Sequence, residues 1–65
     1  MIRVNGDVAD VAVGTTIVEL LARLDAPDRG VAVAIDGEVV PRGRWSSTKL
    51  DDDANVEVVM AVQGG

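Results

Sequence analysis

The sequence predicts a single α+β domain in which one helix packs on one face of a mostly antiparallel sheet. Segments with alternating apolar and polar residues surround one segment whose apolar residues recur every three or four positions. The first period is typical of strands and the second of an amphipathic helix. The resulting order is β-β-α-β-β-β, and a lone helix can bury its apolar stripe only against the sheet. A chain of 65 residues provides one such domain.

The chain begins with a predicted β-hairpin. The opening segment MIRV alternates apolar and polar side chains, as a strand does. Asn5-Gly6 follows, and this pair favours a type I′ turn because both central residues of that turn need positive φ. The segment DVADVAV then predicts the second strand, with Val11 and Val13 facing inward.

The helix is predicted over residues 17–25. Its apolar side chains have helical spacing and form one stripe, made of Ile17, Leu20, Leu21 and Leu24. Thr16 and Glu19 fit a capping box, in which each side chain accepts a hydrogen bond from the backbone N–H of the other residue. Pro27 prevents the helix from continuing, because proline disfavours the helical conformation of the residue before it.

The segment GVAVAID predicts a third strand, whose larger side chains share one face: Val31, Val33 and Ile35. The opposite face carries the small Ala32 and Ala34, so it either lies under another element or stays exposed. Asp36-Gly37 predicts a second type I′ turn. The fourth strand, EVV, then ends or lies at an edge, because Pro41 has no N–H to donate to a neighbouring strand.

The segment before the last strand, RGRWSSTKLDDDAN, is predicted to be irregular, with Leu50 and Trp45 in the core. Three consecutive aspartates, residues 51–53, could supply carboxylates to Mg²⁺. A solvated turn is the favoured interpretation, because the sequence has no second ligand cluster to complete a site. Arg42 and Arg44 could bind a carboxylate or a phosphate. We favour an interpretation in which they bind no ligand and only border the connecting segment.

The last strand is predicted in the segment VEVVMAV, residues 56–62. This segment is apolar nearly throughout. Continuous apolar runs are typical of strands that lie inside a sheet and are covered on both faces. We therefore expect this strand at the centre of the sheet, with both of its faces covered.

Composition excludes several classes of function. Cysteine and histidine are both absent, which excludes disulfides, thiolate and imidazole metal sites, and catalytic triads that need either residue. The formal net charge of −5 argues against a nucleic-acid or anionic-membrane partner. It fits a partner with a basic surface, and it fits equally well a charge that only keeps a small protein soluble. The N-terminal segment has no apolar stretch typical of a signal peptide or membrane span, so the expected compartment is the cytoplasm.

The C-terminus is the best candidate for a reactive group. Gly65 ends in a carboxylate at neutral pH, and such a carboxylate can attack the α-phosphate of ATP when an enzyme holds both groups in line. The product is an acyl-adenylate, which sulfur or nitrogen can then attack. Gly64 and Gly65 suit this chemistry because glycine has no Cβ and can pass through a narrow channel.

The chain resembles the ubiquitin-like β-grasp sulfur carriers, and among them the ThiS-type carriers of bacterial thiamine biosynthesis. The resemblance lies in the segments NG, GTTIVELLARL, AIDGEVVPRGRW and VQGG and in the acidic turn before the last strand. Val-Pro-Arg-x-x-Trp after a β-turn is the most specific pattern. Asp36 stands where the family has asparagine, which preserves the turn. The resemblance implies a β-grasp roll with a mixed sheet of four to five strands, and one carrier domain, residues 1–65, with a flexible tail, residues 63–65.

The resemblance also implies that the protein is a carrier and co-substrate rather than an enzyme. It implies a monomer when the protein is free, and a protein that binds no cofactor or metal itself. A ThiF-like E1 adenylating enzyme would use ATP and Mg²⁺ to adenylate Gly65. Sulfur from a cysteine desulfurase system would convert the adenylate to a thiocarboxylate, which would give its sulfur to a ThiG-like thiazole synthase. Gly64 and Gln63 would enter the partner's active site. The docking candidates, Val59 and Ala61, come from the alternation of side chains in the last strand, which places both on one face.

Three alternatives stay open on the sequence alone. One is the small subunit of molybdopterin synthase or another MoaD-like sulfur carrier, although the Pro-Arg-x-x-Trp pattern points away from it. Another is a ubiquitin-like modifier, which would use the same adenylation but end in an amide bond to a lysine. The last is an interaction domain that is never activated.

Overall fold

The predicted order of elements is confirmed in the structure, a computed structural model that describes residues 1–27 and 29–60. Within these residues five strands, one α-helix and one 3-10 helix form in the expected order. Their bounds are β1 Arg3–Val4, β2 Asp7–Val8, α1 Ile17–Arg23, β3 Val31–Ile35, β4 Glu38–Val40, η1 Arg42–Arg44 and β5 Asn55–Met60. No helix in these residues has the length and apolar character needed to cross a membrane.

The strands form one mixed sheet in the order β2-β1-β5-β3-β4. The last strand, β5, is central, as its apolar sequence predicts. It runs parallel to β1, with Val4 opposite Val56, and antiparallel to β3, with Val33 opposite Val58. The strand β4 lies at one edge and ends just before Pro41, which is where a residue without an N–H is tolerated.

Both predicted type I′ turns form. Asn5 and Gly6 have φ values of 52° and 87°, and Asp36 and Gly37 have φ values of 50° and 86°. Glycine adopts these angles without a steric penalty, and asparagine and aspartate tolerate them better than most residues. The first turn joins β1 to β2 and the second joins β3 to β4.

The helix begins with the predicted capping box. The backbone N–H of Glu19 donates to Oγ1 of Thr16 (3.2 Å), and the backbone N–H of Thr16 donates to Oε1 of Glu19 (2.9 Å). These bonds satisfy N–H groups that a helix start otherwise leaves without partners. Thr16 is therefore the residue that caps the start of the helix.

The helix ends at Arg23, two residues before the predicted end. Asp25 has a left-handed φ of 55°, its N–H donates to the carbonyl of Ala22, and the N–H of Ala26 donates to the carbonyl of Leu21. This arrangement is a Schellman motif, which ends a helix and satisfies its last carbonyls. Glycine usually holds the left-handed position of this motif, so an aspartate there is a weak stop signal in the sequence.

The core lies between the helix and the inner face of the sheet. Leu50, from the irregular segment, and Trp45, which follows η1, join it as predicted. The buried apolar side chains are Ile2, Val4, Ile17, Leu20, Leu21, Val33, Trp45, Leu50, Ala54, Val56 and Val58. Leu24, the last member of the predicted stripe, is exposed because the helix has ended before it.

The second strand is shorter than predicted, and its assigned facing is partly wrong. Pairing with β1 stops at Val8, and Val13 is 61 % exposed, although Val11 packs against the core. After Ala9 the backbone leaves β1 and contacts a different segment. The N–H of Gly14 donates to the carbonyl of Leu50, and the N–H of Leu50 donates to the carbonyl of Thr15. The alternation of valines therefore belongs to a connection and not to a longer strand.

Candidate functional site

The predicted reactive terminus follows β5. Gly65, Gly64, Gln63 and Ala61 lie outside the described residues. Of the predicted site residues, the structure describes Val59, near the end of β5. What the structure defines is the strand that leads to the terminus and the sheet face beside that strand.

The end of β5 has different neighbours on its two sides. On one side it pairs with β3 as far as Met60, which lies opposite Val31. On the other side the pairing with β1 stops at Val56, because the chain turns away at Asn5-Gly6. There the side chain of Asn5 continues the contact, with two hydrogen bonds to the backbone of Val58.

The sheet face opposite the helix carries an exposed apolar surface, which we call the outer face and define by Ala32, Val39, Glu57 and Val59. The register places Val59 beside Ala32, and both Val39 and Glu57 beside Ala34. Val39 is 75 % and Val59 is 63 % exposed. Together these residues line a shallow depression of about 290 Å³. Contiguous exposed apolar surface on a small domain is typical of an interaction site.

The outer face corrects one expectation about β5. The strand is central, but only its inner face is covered, since Val56 and Val58 are buried whereas Glu57 and Val59 are exposed. One helix covers one face of this sheet within the described residues. The apolar run in β5 therefore leaves Val59 available for contact with another molecule.

The aspartate cluster forms the predicted solvated turn. The N-terminal ammonium of Met1 donates to carboxylate oxygens of Asp52 (3.2 Å) and Asp53 (2.5 Å), and these groups are largely exposed. The hydrogen bonds that the ammonium donates to Asp53 and Asp52 raise its pKa, and the same contact lowers the pKa of Asp53. In the part of the chain that is described, no three acidic side chains come together to hold a metal ion.

The arginines of η1 lie beside the core. The guanidinium of Arg42 lies 5.8 Å from the centre of the Trp45 ring, a cation–π distance. The carbonyl of Arg44 accepts hydrogen bonds from the hydroxyls of Ser47 and Thr48. These contacts stabilise the connection between β4 and β5, and the one made by the Arg42 guanidinium supports a structural role for that side chain.

Sequence reasoning did not identify Val39 and Asn5 as residues of the site. The type I′ turn at Asp36-Gly37 fixes the register of β3 and β4, and that register places Val39 beside Ala34 on the outer face. The position of Val39 could therefore have been derived from the turn. The contact of Asn5 could not, because it joins residues that are 53 positions apart in the sequence.

Comparison with known proteins gives a consistent result. The family model described as "ThiS family" matches residues 2–65. The chain is similar to the sulfur carrier protein ThiS of Escherichia coli K12, with 33 % identity over 61 residues, 94 % of this chain and 92 % of the relative. It is also similar to the crystal structure of the thiamine biosynthesis protein (ThiS) from Geobacter metallireducens, with TM-score 0.78, 31 % identity and coverage of 98 % and 97 %.

The solution NMR structure of a thiamine biosynthesis protein from Geobacter metallireducens gives the same relationship. Its TM-score is 0.80 and its identity 31 %, over 98 % of this chain and 86 % of that one. The sheet order, the single helix and these similarities confirm the ubiquitin-like β-grasp fold. Because the family model spans nearly the whole sequence, the chain belongs to the ThiS family.

Proposed function

We propose that this protein carries sulfur for the thiazole ring of thiamine as a thiocarboxylate on Gly65. The carboxylate of Gly65 attacks the α-phosphate of ATP in a ThiF-like adenylating enzyme, and pyrophosphate leaves with Mg²⁺. A sulfur nucleophile at the oxidation level of sulfide then attacks the carboxyl carbon, and AMP leaves. One oxygen of the terminus is thereby replaced by one sulfur, which a ThiG-like thiazole synthase accepts.

The observation that carries this proposal is the extent of the family match. It runs to residue 65 and so includes Gly64-Gly65. The side chains offer no competing acceptor for sulfur, because the sequence has neither cysteine nor histidine. The protein acts in this scheme as a co-substrate of its partner enzymes. The cysteine desulfurase system supplies the sulfur as a persulfide, and a thiol reductant converts it to sulfide.

The outer face is the proposed docking surface for these enzymes. Val59 lies six residues before Gly65, so an enzyme that holds the terminus in its active site also lies close to this surface. The exposed side chains of Val59 and Val39 supply apolar area, and Glu57 supplies a negative charge on the same face, across Ala34 from Val39. A partner with apolar side chains and at least one cation fits this pattern. Ala61 remains a candidate from the sequence, two residues beyond Val59.

Intact mass spectrometry tests the proposal. The purified protein is incubated with a ThiF-like enzyme, ATP, Mg²⁺, a cysteine desulfurase with cysteine, and a thiol reductant that releases the desulfurase's persulfide sulfur as sulfide. We expect a mass gain equal to the difference between sulfur and oxygen, and no gain when Gly65 is deleted. The deletion variant should keep the melting temperature of the parent, since the core cluster found among the described residues ends at Val58.

The alternatives give different results in the same experiment. A protein modifier produces adducts of much higher mass, and an interaction domain shows no change of mass. A MoaD-like carrier gains sulfur but transfers it to the large subunit of molybdopterin synthase and not to thiazole synthase. Absence of any mass change with an active adenylating enzyme would overturn the proposal.

A further inference from the structure

We infer that Asn5 is a positioning residue for the modification of Gly65: its carboxamide fixes the backbone of Val58 and so sets the direction in which β5 runs toward the terminus. The inference deepens the proposed function and rests on it, because it concerns how the terminus reaches the adenylating active site. Asn5 lies far from Gly65 in sequence and does not itself enter the chemistry.

The contact has the geometry of a continued β-ladder. The backbone N–H of Arg3 donates to the carbonyl of Ala54 (2.9 Å), and that of Asn5 donates to the carbonyl of Val56 (2.8 Å). A parallel strand that continued would next accept from the N–H of Val58 and then donate to its carbonyl. The side chain of Asn5 makes both of these bonds. Its Oδ1 accepts from the N–H of Val58 (2.8 Å), and its Nδ2 donates to the carbonyl of Val58 (3.2 Å).

The contact matters because β1 is so short. Only two residues of β1 pair with β5, and the main chain has already turned away at Gly6. Val58 therefore has a strand neighbour, β3, on one side and the carboxamide of Asn5 on the other. Both bonds are partly buried, where competition from water is reduced. The two-sided contact holds the backbone of β5 two residues before the described strand ends.

Positioning of this kind has a direct effect on reaction rate. Val58 lies seven residues before Gly65, so a rotation of the strand at Val58 changes the position and direction from which the residues after Met60 approach an active site. A displacement of about 1 Å at reacting groups can cost about a hundredfold in rate. Such a rotation leaves Ala32 and Val39 of the outer face in place, because β3 and β4 carry them, and the pairing of Val59 with Ala32 limits the movement of Val59.

The second type I′ turn provides a matched control. Asp36 occupies the same turn position as Asn5, with φ of 50° against 52°. Its Oδ1 accepts a hydrogen bond from the N–H of Asn55 (3.1 Å). Asn55 is the first residue of β5, so this contact holds the end of the strand that is distant from the terminus. The substitutions Asn5→Gly and Asp36→Gly each remove a turn side chain that contacts β5 and keep a residue that favours positive φ.

The test measures adenylation of the wild-type protein and both variants at varied carrier concentration, by release of pyrophosphate from the ThiF-like enzyme. For Asn5→Gly we expect kcat to fall about tenfold while KM for the carrier stays within about twofold. For Asp36→Gly we expect both constants within about twofold of wild type. An unchanged kcat for Asn5→Gly would overturn the inference. An equal loss in both variants would also overturn it, because the effect would then follow general stability.

A second measurement separates this inference from the proposed function. The ¹⁵N backbone order parameter of Met60, measured on the free protein, should fall in Asn5→Gly and stay unchanged in Asp36→Gly. If the wild-type protein is not adenylated at all, the proposed function fails, and the order parameter still tests the contact. An unchanged order parameter in Asn5→Gly would contradict the positioning role whatever the kinetic result.

Discussion

The indole Nε1 of Trp45 donates a hydrogen bond of 2.9 Å to the carbonyl of Val40. Val40 is the last residue of β4, and Trp45 directly follows η1, so this bond closes the loop between them. Pro41 ends the ladder because it has no N–H, and Arg42 places its guanidinium over the indole ring. The bond accounts for the spacing of the Val-Pro-Arg-x-x-Trp pattern, since each named residue of the pattern makes a separate contact in one small loop.

Replacing the donor in this loop should destabilise the protein without affecting sulfur transfer. Trp45→Phe keeps an aromatic ring in the core but removes the N–H, which leaves the partly buried carbonyl of Val40 without that partner. We expect a loss of about 1–2 kcal/mol in the free energy of unfolding, measured by urea denaturation followed by circular dichroism. Thiocarboxylate formation at Gly65 should proceed at the wild-type rate well below the melting temperature. A variant as stable as wild type would show that the hydrogen bond adds nothing to stability.

The capping box gives a second stability prediction. Thr16→Ala removes the hydroxyl that accepts from the N–H of Glu19. Because the helix has only seven residues, it depends strongly on the groups at its ends. We expect a loss of about 1 kcal/mol, measured in the same denaturation experiment. Thr16→Ser, which keeps the hydroxyl, is the control and should recover most of the loss. Equal losses for alanine and serine would place the effect in the threonine methyl group.

The same contact predicts how stability depends on pH. Hydrogen bonds from the backbone and the hydroxyl of Thr16 lower the pKa of Glu19. The folded state therefore releases this proton more readily than the unfolded state does. The stabilisation is fully present above the ordinary pKa of a glutamate and is lost as the pH falls through the lowered value. Since Glu19 is fully exposed, added salt should weaken the contribution.

Melting temperatures measured from neutral to acidic pH test this dependence. Glu19→Gln should flatten the fall of the melting temperature toward acid, because the variant has no carboxylate to protonate at position 19. Asp53, whose pKa the ammonium of Met1 lowers, still contributes in the variant, so some dependence should persist. Glu57→Gln, which changes a carboxylate on the outer face, is the control. If Glu19→Gln and wild type gave parallel curves, the capping carboxylate would have no part in acid sensitivity.

Features with local causes were predictable from the sequence. Asn5-Gly6 and Asp36-Gly37 form the expected turns, because positive φ is a property of the turn residues themselves. The helix start was equally local, since the capping box joins residues three apart. The early end of the helix was missed because Asp25 takes a conformation that glycine usually supplies.

Features with distant causes were not predictable in the same way. The second strand was predicted to be too long because Val13 continues the alternating pattern. In the structure, the backbone after Ala9 forms hydrogen bonds with the segment around Leu50 instead. The apolar sequence of β5 led to the prediction that both of its faces are covered. Val59 is exposed, so the prediction was wrong, and the apolar character of a strand does not show whether another element covers each face. The reactive Gly65 was found by elimination of side-chain chemistry and by family resemblance, and it stays a prediction.

The outer face gives the prediction that bears most directly on partner recognition. Val59→Lys replaces an exposed apolar side chain with a cation beside Glu57, on the surface proposed to meet a partly basic partner. We expect KM of the adenylating enzyme for the carrier to rise about tenfold. This corresponds to a loss of about 1.4 kcal/mol of binding free energy, which is typical for one important interface residue. The maximal rate should stay near wild type, because the substitution leaves Asn5 and the terminus unchanged.

Val13→Lys is the matched control for this prediction. Val13 is 61 % exposed and Val59 is 63 % exposed, so the two substitutions place the same charge at equally exposed apolar positions. Val13 lies in the connection before the helix and outside the outer face. The Val13→Lys variant should leave KM unchanged, and both variants should keep melting temperatures near wild type. Equal effects on KM would mean that net charge governs the encounter, and no effect of Val59→Lys would remove the outer face from the docking surface.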